Sequence, residues 1–323
     1  MNDISAIQFY DYHPGTASLR EEVLHGLALQ PKVIPPKFFY DEQGSRLFDA
    51  ICELPEYYPT RTEIAILQTY AEEITALAGP ESLLIELGSG ASKKVRLLLD
   101  ALRPSTYMAV DISKDFLLQS TRQLAADYPW LEVHAACADF SQTLNLSYCP
   151  LAVKKLAFFP GSSIGNFDPP EAVAFLKQLA KSLYPEGALL IGVDLKKDPR
   201  LLHAAYNDSQ GVTAAFNLNL LHRMQSELDT DLNPREFQHH AFFNEALGRV
   251  EMHLVSRRTQ RLRIENQFFD FAEGESIHTE NSYKYSVTEF HKVASYAGYQ
   301  AERVWIDDRQ LFSVHFLTLK TMA

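Results

Sequence analysis

Residues 83–96 read LLIELGSGASKKVR. An apolar run of strand character passes Glu86, turns through Gly88, Ser89 and Gly90, and enters a basic stretch of helical pattern. A glycine-rich turn between strand and helix often cradles a phosphate at the helix N-terminus. Glu86 conflicts with that use, because a carboxylate at the mouth of a pyrophosphate site repels its ligand. The dinucleotide fingerprint G-x-G-x-x-G fails too, since Lys93 stands where its third glycine belongs, and no GxxxxGK phosphate loop is present.

Outward from this turn, the pattern alternates. Residues 60–78 carry apolar residues at helical spacing and predict one helix, with Thr60 or Thr62 as N-cap. Then come strand LLIEL, helix KKVRLLLDAL, strand YMAVDI, helix KDFLLQSTRQLAADY, strand EVHAACAD, a loop, strand KKLAFFPG, helix PPEAVAFLKQLAKSLY and strand ALLIGVDL. Five strands alternating with helices over 83–195 predict a parallel sheet covered on both faces. After Leu195 the rhythm breaks into helical and then strand-like stretches up to 285. The helix VTEFHKVASYAGY follows, and then two strands, AERVWID and LFSVHFLTL, whose short link DDRQ makes them antiparallel.

An α/β doubly wound sheet closed by an antiparallel terminal hairpin resembles the class I S-adenosylmethionine-dependent methyltransferases. The expected division is a Rossmann-like methyltransferase domain over 60–195 and 286–323, with a smaller α+β substrate-binding domain over 1–59 and 196–285.

S-adenosylmethionine suits the turn better than a dinucleotide. It carries no phosphate, and its methionyl end bears an ammonium, a carboxylate and a sulfonium. Glu86 favours the cationic end, while the N–H groups of the Gly88–Ser89–Gly90 turn and Lys94 face the carboxylate. Asp111 ends the second strand, where such folds place an acid on the ribose hydroxyls. Asp139 ends the third and can accept from the adenine amino group beside Phe140. Each acid alone reads equally as a helix-capping residue, and the set of three carries the expectation.

Composition excludes other classes. The 323 residues are 46% apolar and 22% charged, with a net charge of −11, which disfavours a sequence-independent grip on nucleic acid. The basic run RRTQRLR at 257–263 reads as a solvated strand face. No apolar run has membrane-spanning length and the first residues carry no export pattern, so a cytoplasmic protein with no membrane contact is expected. Cys52, Cys137 and Cys149 show no CxxC spacing. His239 and His240 are adjacent, but HExxH is absent, and no metal site is expected.

Two stretches outside the cofactor core are rich in groups that can hold an acceptor. One is PPKFFYDEQGSRLFDAICELPEYYPTR (35–61), and the other is IHTENSYKY (277–285). In an extended segment Glu280 and Ser282 point to one face, and a carboxylate beside a hydroxyl satisfies both nitrogens of an imidazole. The competing reading of Glu280 is a surface ion pair with Lys284. Asn166, in FFPGSSIGNF, lies just beyond the fourth strand.

FFYDEQGSRLFD, LPEYYPTRTE, IELGSGASKK, PGSSIGNF, AYNDSQGVTAAFN and TENS together, in this order and over nearly the whole chain, resemble the histidine-specific Nα-methyltransferases of ergothioneine biosynthesis. The resemblance implies transfer of three methyl groups from S-adenosylmethionine to the α-amino group of L-histidine, giving hercynine. It implies that Tyr57 faces the substrate and that Tyr40 lies near the reacting amine and the methyl donor. Asn166 and Tyr206 would hold the substrate carboxylate, Glu280 and Ser282 the imidazole, and Met252 would line the side-chain pocket. Gly88, Lys94, Asp111, Asp139 and Phe140 would hold the cofactor. Tyr40 and Asn166 are then the candidates at the reacting centre. The alternative acceptor is another amino acid, a tryptophan derivative or a thiolated histidine. An indole, with one ring N–H, leaves the Glu280 and Ser282 pair half used. The substrate is expected to be a small molecule and the protein a monomer.

Overall fold

The computed structural model describes residues 7–12, 15–79, 82–139 and 154–320. In chain order the elements are β1 (Ile7–Asp11), α1 (Gly15–Ala28), β2 (Lys32–Val33), α2 (Glu42–Cys52), α3 (Tyr58–Thr69), α4 (Ala71–Ala78) and β3 (Leu83–Leu87). Next come α5 (Lys93–Leu102), β4 (Thr106–Asp111), α6 (Lys114–Asp127), β5 (Glu132–Cys137), β6 (Lys155–Phe159), α7 (Pro169–Leu183) and β7 (Ala188–Asp194). The chain continues through α8 (Pro199–Tyr206), α9 (Val212–Glu227), β8 (Phe237–Asn244), β9 (Arg249–Ser256), β10 (Gln260–Ile264), β11 (Gln267–Phe271) and β12 (Ser276–Tyr283). It ends with α10 (Val287–Tyr296), β13 (Tyr299–Ile306) and β14 (Phe312–Leu319).

The chain divides into two units, one of Met1–His13, Tyr58–Lys197 and Tyr283–Ala323, the other of Pro14–Tyr57 and Asp198–Ser282. The first unit holds one sheet of order β1-β5-β4-β3-β6-β7-β14-β13. Pairing from β1 through β7 is parallel, and β14 runs antiparallel to both β7 and β13. Leu83, Ile85 and Leu87 of β3 join one core and Leu84 the other, so alternate residues of a single strand feed two apolar layers. Helix α7 opens with Asp168 and Glu171 in a reciprocal capping box, and α10 does the same with Ser286 and Glu289.

Three expectations change. The N-terminal residues do not go with the second unit, because β1 pairs in register with β5, Ile7 opposite Val133. The helix expected over 60–78 starts at Tyr58 and breaks at Tyr70 into α3 and α4. Thr62 is no cap, since its hydroxyl donates to the Tyr58 carbonyl inside the first turn at 2.8 Å. Finally, Asp139 lies two residues beyond the last residue of β5.

The second unit holds a sheet of order β2-β12-β9-β8 and the hairpin β10-β11. Helix α2 is capped by Asp41, whose carboxylate accepts the Gly44 N–H at 2.6 Å and the Asn219 side-chain amide of α9 at 2.8 Å. Gly44 is required there, because a Cβ would lie 1.7 Å from the Phe39 carbonyl oxygen. Among the described residues no helix is long and apolar enough to cross a membrane.

Candidate functional site

In the first unit, the turn after β3 combines positive φ at Gly88 (71°), Gly90 (48°) and Ser92 (53°) before α5 begins. Gly88 and Ser89 donate their N–H groups to the Val110 carbonyl at 2.8 and 3.2 Å, which ties the turn to the end of β4. Asp111 then accepts the Gly90 N–H at 2.9 Å on one oxygen and the Ser113 N–H at 2.9 Å on the other. Burial pushes the Asp111 carboxyl up, and these backbone donors pull it back. The Ser89 hydroxyl is buried with no hydrogen-bond partner among the described residues, and a Cβ added at Gly90 would meet nothing within 4 Å.

Glu86 does not stand at the mouth of the turn. It is 1% exposed and accepts the Tyr107 hydroxyl at 2.5 Å. Burial pushes its carboxyl up to about 8, against the pull of Tyr107 and Lys94, so at neutral pH it is largely protonated. The expected fixed anion is therefore a neutral acid until a cation approaches.

Lys94 is also not a lone cation. Its ammonium lies 2.6 Å from the carboxylate of Glu63, a residue of α3 that is wholly buried. Glu63 further accepts the Gly161 N–H at 2.9 and 3.1 Å on its two oxygens. Gly161 opens the loop GSSIGN, in which a tight turn over Ser163–Asn166 carries Asn166. Asp139 is half-buried. Phe140 lies outside the described residues.

A second buried carboxylate, Asp194, ends β7. It accepts the Tyr58 hydroxyl at 2.8 Å and the Lys284 ammonium at 2.8 Å, and it pairs with Lys197. Burial would raise its carboxyl, but Lys284 and Lys197 outweigh this and hold it below the ordinary value. Lys284 is itself only 2% exposed, a buried lysine and not the surface residue expected. Tyr58, Lys197 and Lys284 each stand at or next to a point where the chain passes from one unit to the other.

In the second unit, β12 presents Glu280 and Ser282, 9% and 4% exposed. The Tyr206 hydroxyl, at the end of α8, bonds Ser282 Oγ at 2.8 Å. Tyr206 therefore meets a group expected on the imidazole, although the resemblance had put it on the carboxylate. Rings surround this pair: Tyr57 packs edge-on against Tyr206 (centroids 6.4 Å) and against Phe48 (6.3 Å). Tyr40 packs on Phe48 (5.8 Å) and on Phe216 (5.7 Å). Burial, with Tyr206, Cys52, Glu280 and Tyr40 nearby, pushes the Tyr57 phenol well above its ordinary value, so it stays neutral. Met252, 2% exposed on β9, accepts the Thr279 hydroxyl at its carbonyl at 3.0 Å.

The structure thus gathers Glu86, Gly88, Ser89, Gly90, Lys94, Asp111, Asp139 and Asn166 in the first unit, and Tyr40, Tyr57, Tyr206, Met252, Glu280 and Ser282 in the second. Sequence reasoning missed Phe48 and Phe216, whose helical spacing reads as ordinary core. It also missed that Glu251, His253 and His278 converge, with ligand-type atoms within 4.8 Å of one another. The two imidazoles are stacked at 4.7 Å and 12°, so their in-plane lone pairs run parallel and do not meet at one point. Hydrogen bonds account for the group: Glu251 accepts from Arg249 at 2.8 Å and from His253 at 3.1 Å.

Residues 19–319 match the family described as "Histidine-specific methyltransferase, SAM-dependent". The chain is 42% identical over 296 residues to a histidine N-alpha-methyltransferase of Mycolicibacterium smegmatis, covering 90% of this chain and 91% of that one. It is 39% identical over 300 residues to the enzyme of that name from Mycobacterium tuberculosis, covering 91% and 92%. A 4-dimethylallyltryptophan N-methyltransferase of Claviceps purpurea is 27% identical over 325 residues, covering 90% and 92%. A match whose span takes in the glycine turn, the Asn166 loop and β12 leaves one conclusion, that this chain belongs to the S-adenosylmethionine-dependent, histidine-specific methyltransferases.

Proposed function

We propose that this chain transfers three methyl groups from S-adenosylmethionine to the α-amino group of L-histidine, giving hercynine for ergothioneine biosynthesis, as a cytoplasmic monomer. The observation that carries the acceptor is the buried trio of Glu280, Ser282 and Tyr206 inside a ring-lined wall. A neutral imidazole has one N–H donor and one acceptor nitrogen. Glu280 can take the first. The Tyr206 and Ser282 hydroxyls use one of their two protons on each other, and the second can donate to the other ring nitrogen.

The glycine turn fits the donor. The N–H groups of Gly88, Ser89 and Gly90, expected on the cofactor carboxylate, are instead taken by Val110 and Asp111, so what the turn offers a ligand is the orphaned Ser89 hydroxyl and the open space over Gly90. Glu86, Gly88, Lys94, Asp111 and Asp139 would hold it. Bound there, it supplies a methyl carbon activated by positive sulfur. The chain must then deliver a neutral, oriented amine. Asn166 on the substrate carboxylate would restrict rotation about Cα, and such orientation supplies about 7–11 kcal/mol in favourable cases. A partly dry, Tyr-lined pocket beside a sulfonium disfavours a second positive charge on the amine before attack. It also attracts the methylammonium that forms, by about 0.5–2 kcal/mol through cation–π contact with Tyr40 and Tyr57.

The test is mass spectrometry of the purified protein with S-adenosylmethionine and an equimolar mixture of histidine, tryptophan and tyrosine. Three methyl groups gained on histidine alone are expected. Gain on tryptophan instead would overturn the imidazole reading while leaving the donor in place. In parallel, Glu280→Ala should raise the KM for histidine about ten- to a hundredfold, the value of a charge-assisted hydrogen bond. Affinity for S-adenosylhomocysteine should not change.

A further inference from the structure

Glu63 has no role in the reading so far, yet it is a carboxylate without solvent in the middle of the first unit. Its exposure is 0%. A buried charge of this kind survives only with good partners, and the partners here are specific. One is the Lys94 ammonium at 2.6 Å, from the first turn of α5 below the glycine turn. The other is the Gly161 N–H, at 2.9 and 3.1 Å from the two oxygens, at the start of the loop that carries Asn166.

The surrounding backbone is shaped to admit this carboxylate. Gly192 lies in the interior of β7, where a glycine weakens a strand. A Cβ there would stand 2.0 Å from Glu63 Oε1 and 2.9 Å from its carboxyl carbon. Gly161 has φ +76°, and a Cβ on it would lie 3.3 Å from Lys94 Nζ. Two glycines on two separate segments therefore clear the same slot, one for the acid and one for its lysine.

We propose that Glu63 is a positioning residue of this enzyme: its buried carboxylate fixes the Lys94 ammonium for the amino-acid end of the cofactor and, through Gly161, fixes the start of the Asn166 loop. The proposal rests on reading Lys94 as a contact of the cofactor carboxylate. It makes the recognition of that carboxylate depend on a side chain that never touches it. Lys94 on a flexible four-carbon stem would sample many directions. Glu63 removes most of them before the ligand arrives, so less ordering is left to oppose binding.

The test compares two ligands on Glu63→Gln by calorimetry. S-adenosylhomocysteine carries the amino-acid end, whereas 5′-methylthioadenosine keeps the nucleoside and thioether and lacks it. The expected result is a loss of about ten- to a hundredfold for S-adenosylhomocysteine, with affinity for methylthioadenosine within twofold. Equal losses for both ligands would mean a merely structural role and would overturn the proposal, as would no loss for either. Lys94→Met separates the two layers of the argument. If it loses S-adenosylhomocysteine selectively and Glu63→Gln does not, the Lys94 reading stands and the positioning role falls. If it loses neither ligand, the Lys94 reading itself falls, and the positioning role with it. Should Glu63→Gln fail to fold, Gly192→Ala, whose Cβ would stand 2.0 Å from Glu63 Oε1, displaces the same carboxylate and is read with the same two ligands. Neither ligand involves the methyl acceptor, so an error about histidine leaves the outcome intact.

Discussion

Replacing Asp194 by Asn should cost this protein more stability than any substitution in its candidate site. The carboxylate is 1% exposed and serves Lys284, Lys197 and Tyr58. The Lys284 and Lys197 side chains are 1% and 5% exposed, so neither reaches water when the anion is removed. Removing one partner of a buried ion pair costs about 3–5 kcal/mol. Lys197 can escape part of that cost. Burial has already lowered its ammonium to about 8, and shedding the proton at pH 7 costs only about 1.4 kcal/mol. Lys284 therefore carries most of the loss, and the expected total is about 3–5 kcal/mol at pH 7. With a urea slope of about 3 kcal/mol/M, the midpoint should fall by roughly 1–1.7 M.

The pH dependence supplies a second check. Lys197 in the folded protein titrates near 8, below its unfolded value of about 10.4. Between those values the unfolded chain binds more protons, so the Lys197 contribution makes stability rise with pH. Below about 8 the full cost of a buried ammonium is present, and above about 10.4 it is gone. At pH 9 Lys197 is mostly neutral, so the penalty of Asp194→Asn should be about 1 kcal/mol smaller than at pH 7. The assay is urea unfolding followed by tryptophan fluorescence and circular dichroism at both pH values. A loss below 1 kcal/mol at pH 7, or an equal loss at both, would refute the reasoning.

Two further predictions concern ligand binding. Glu86 is protonated below about 8, and an ammonium placed beside it favours the ionised form. Binding of S-adenosylhomocysteine should therefore release a proton, tighten up to about tenfold per pH unit from 6 toward 8, and level off above. Calorimetry in buffers of different ionisation enthalpy measures this, and Glu86→Gln should abolish the slope. Gly44→Ala would put a Cβ 1.7 Å from the Phe39 carbonyl and 3.0 Å from Asp41 Oδ1, on either side of Tyr40 in sequence. Such overpacking costs about 1–3 kcal/mol. Steady-state kinetics should show a raised KM for histidine with unchanged S-adenosylhomocysteine affinity.

What the sequence disclosed was local. ELGSG, and Asp111 at the end of β4, were legible because a turn and a strand terminus each announce themselves within a few residues. The antiparallel close of the sheet followed from the short DDRQ link. The hidden features are long-range. Glu63 sits in a helix whose TRTE segment reads as a polar face, and nothing near it reveals Lys94 thirty-one residues on. Lys284 looked like an ordinary surface lysine, because its partner lies on another strand. One signal was available and unused: the glycine inside ALLIGVDL marks the close approach of another group. The break at Tyr70 has no such mark, since no Gly or Pro stands there.

The two buried acids meet in their consequence for the Asn166 loop. Gly161 and Ser162 are consecutive left-handed residues, at φ 76° and 59°. For Ser162 that conformation costs about 1–2 kcal/mol. It persists because each residue is held from a different strand or helix. Glu63 takes the Gly161 N–H, and the Asp194 N–H donates to Ser162 Oγ at 2.9 Å. The Gly165 N–H closes the turn on the Ser162 carbonyl at 2.8 Å, one residue before Asn166. The backbone that leads into Asn166 is thus fixed by bonds from within the protein. The uncatalysed reaction needs no acid, base or metal to activate the methyl carbon, only a neutral nucleophile held in line. On the proposed reading, in which Asn166 holds the amino acid, rigid placement of that residue is then the main contribution the protein can make. The strain at Ser162 is part of what produces that placement.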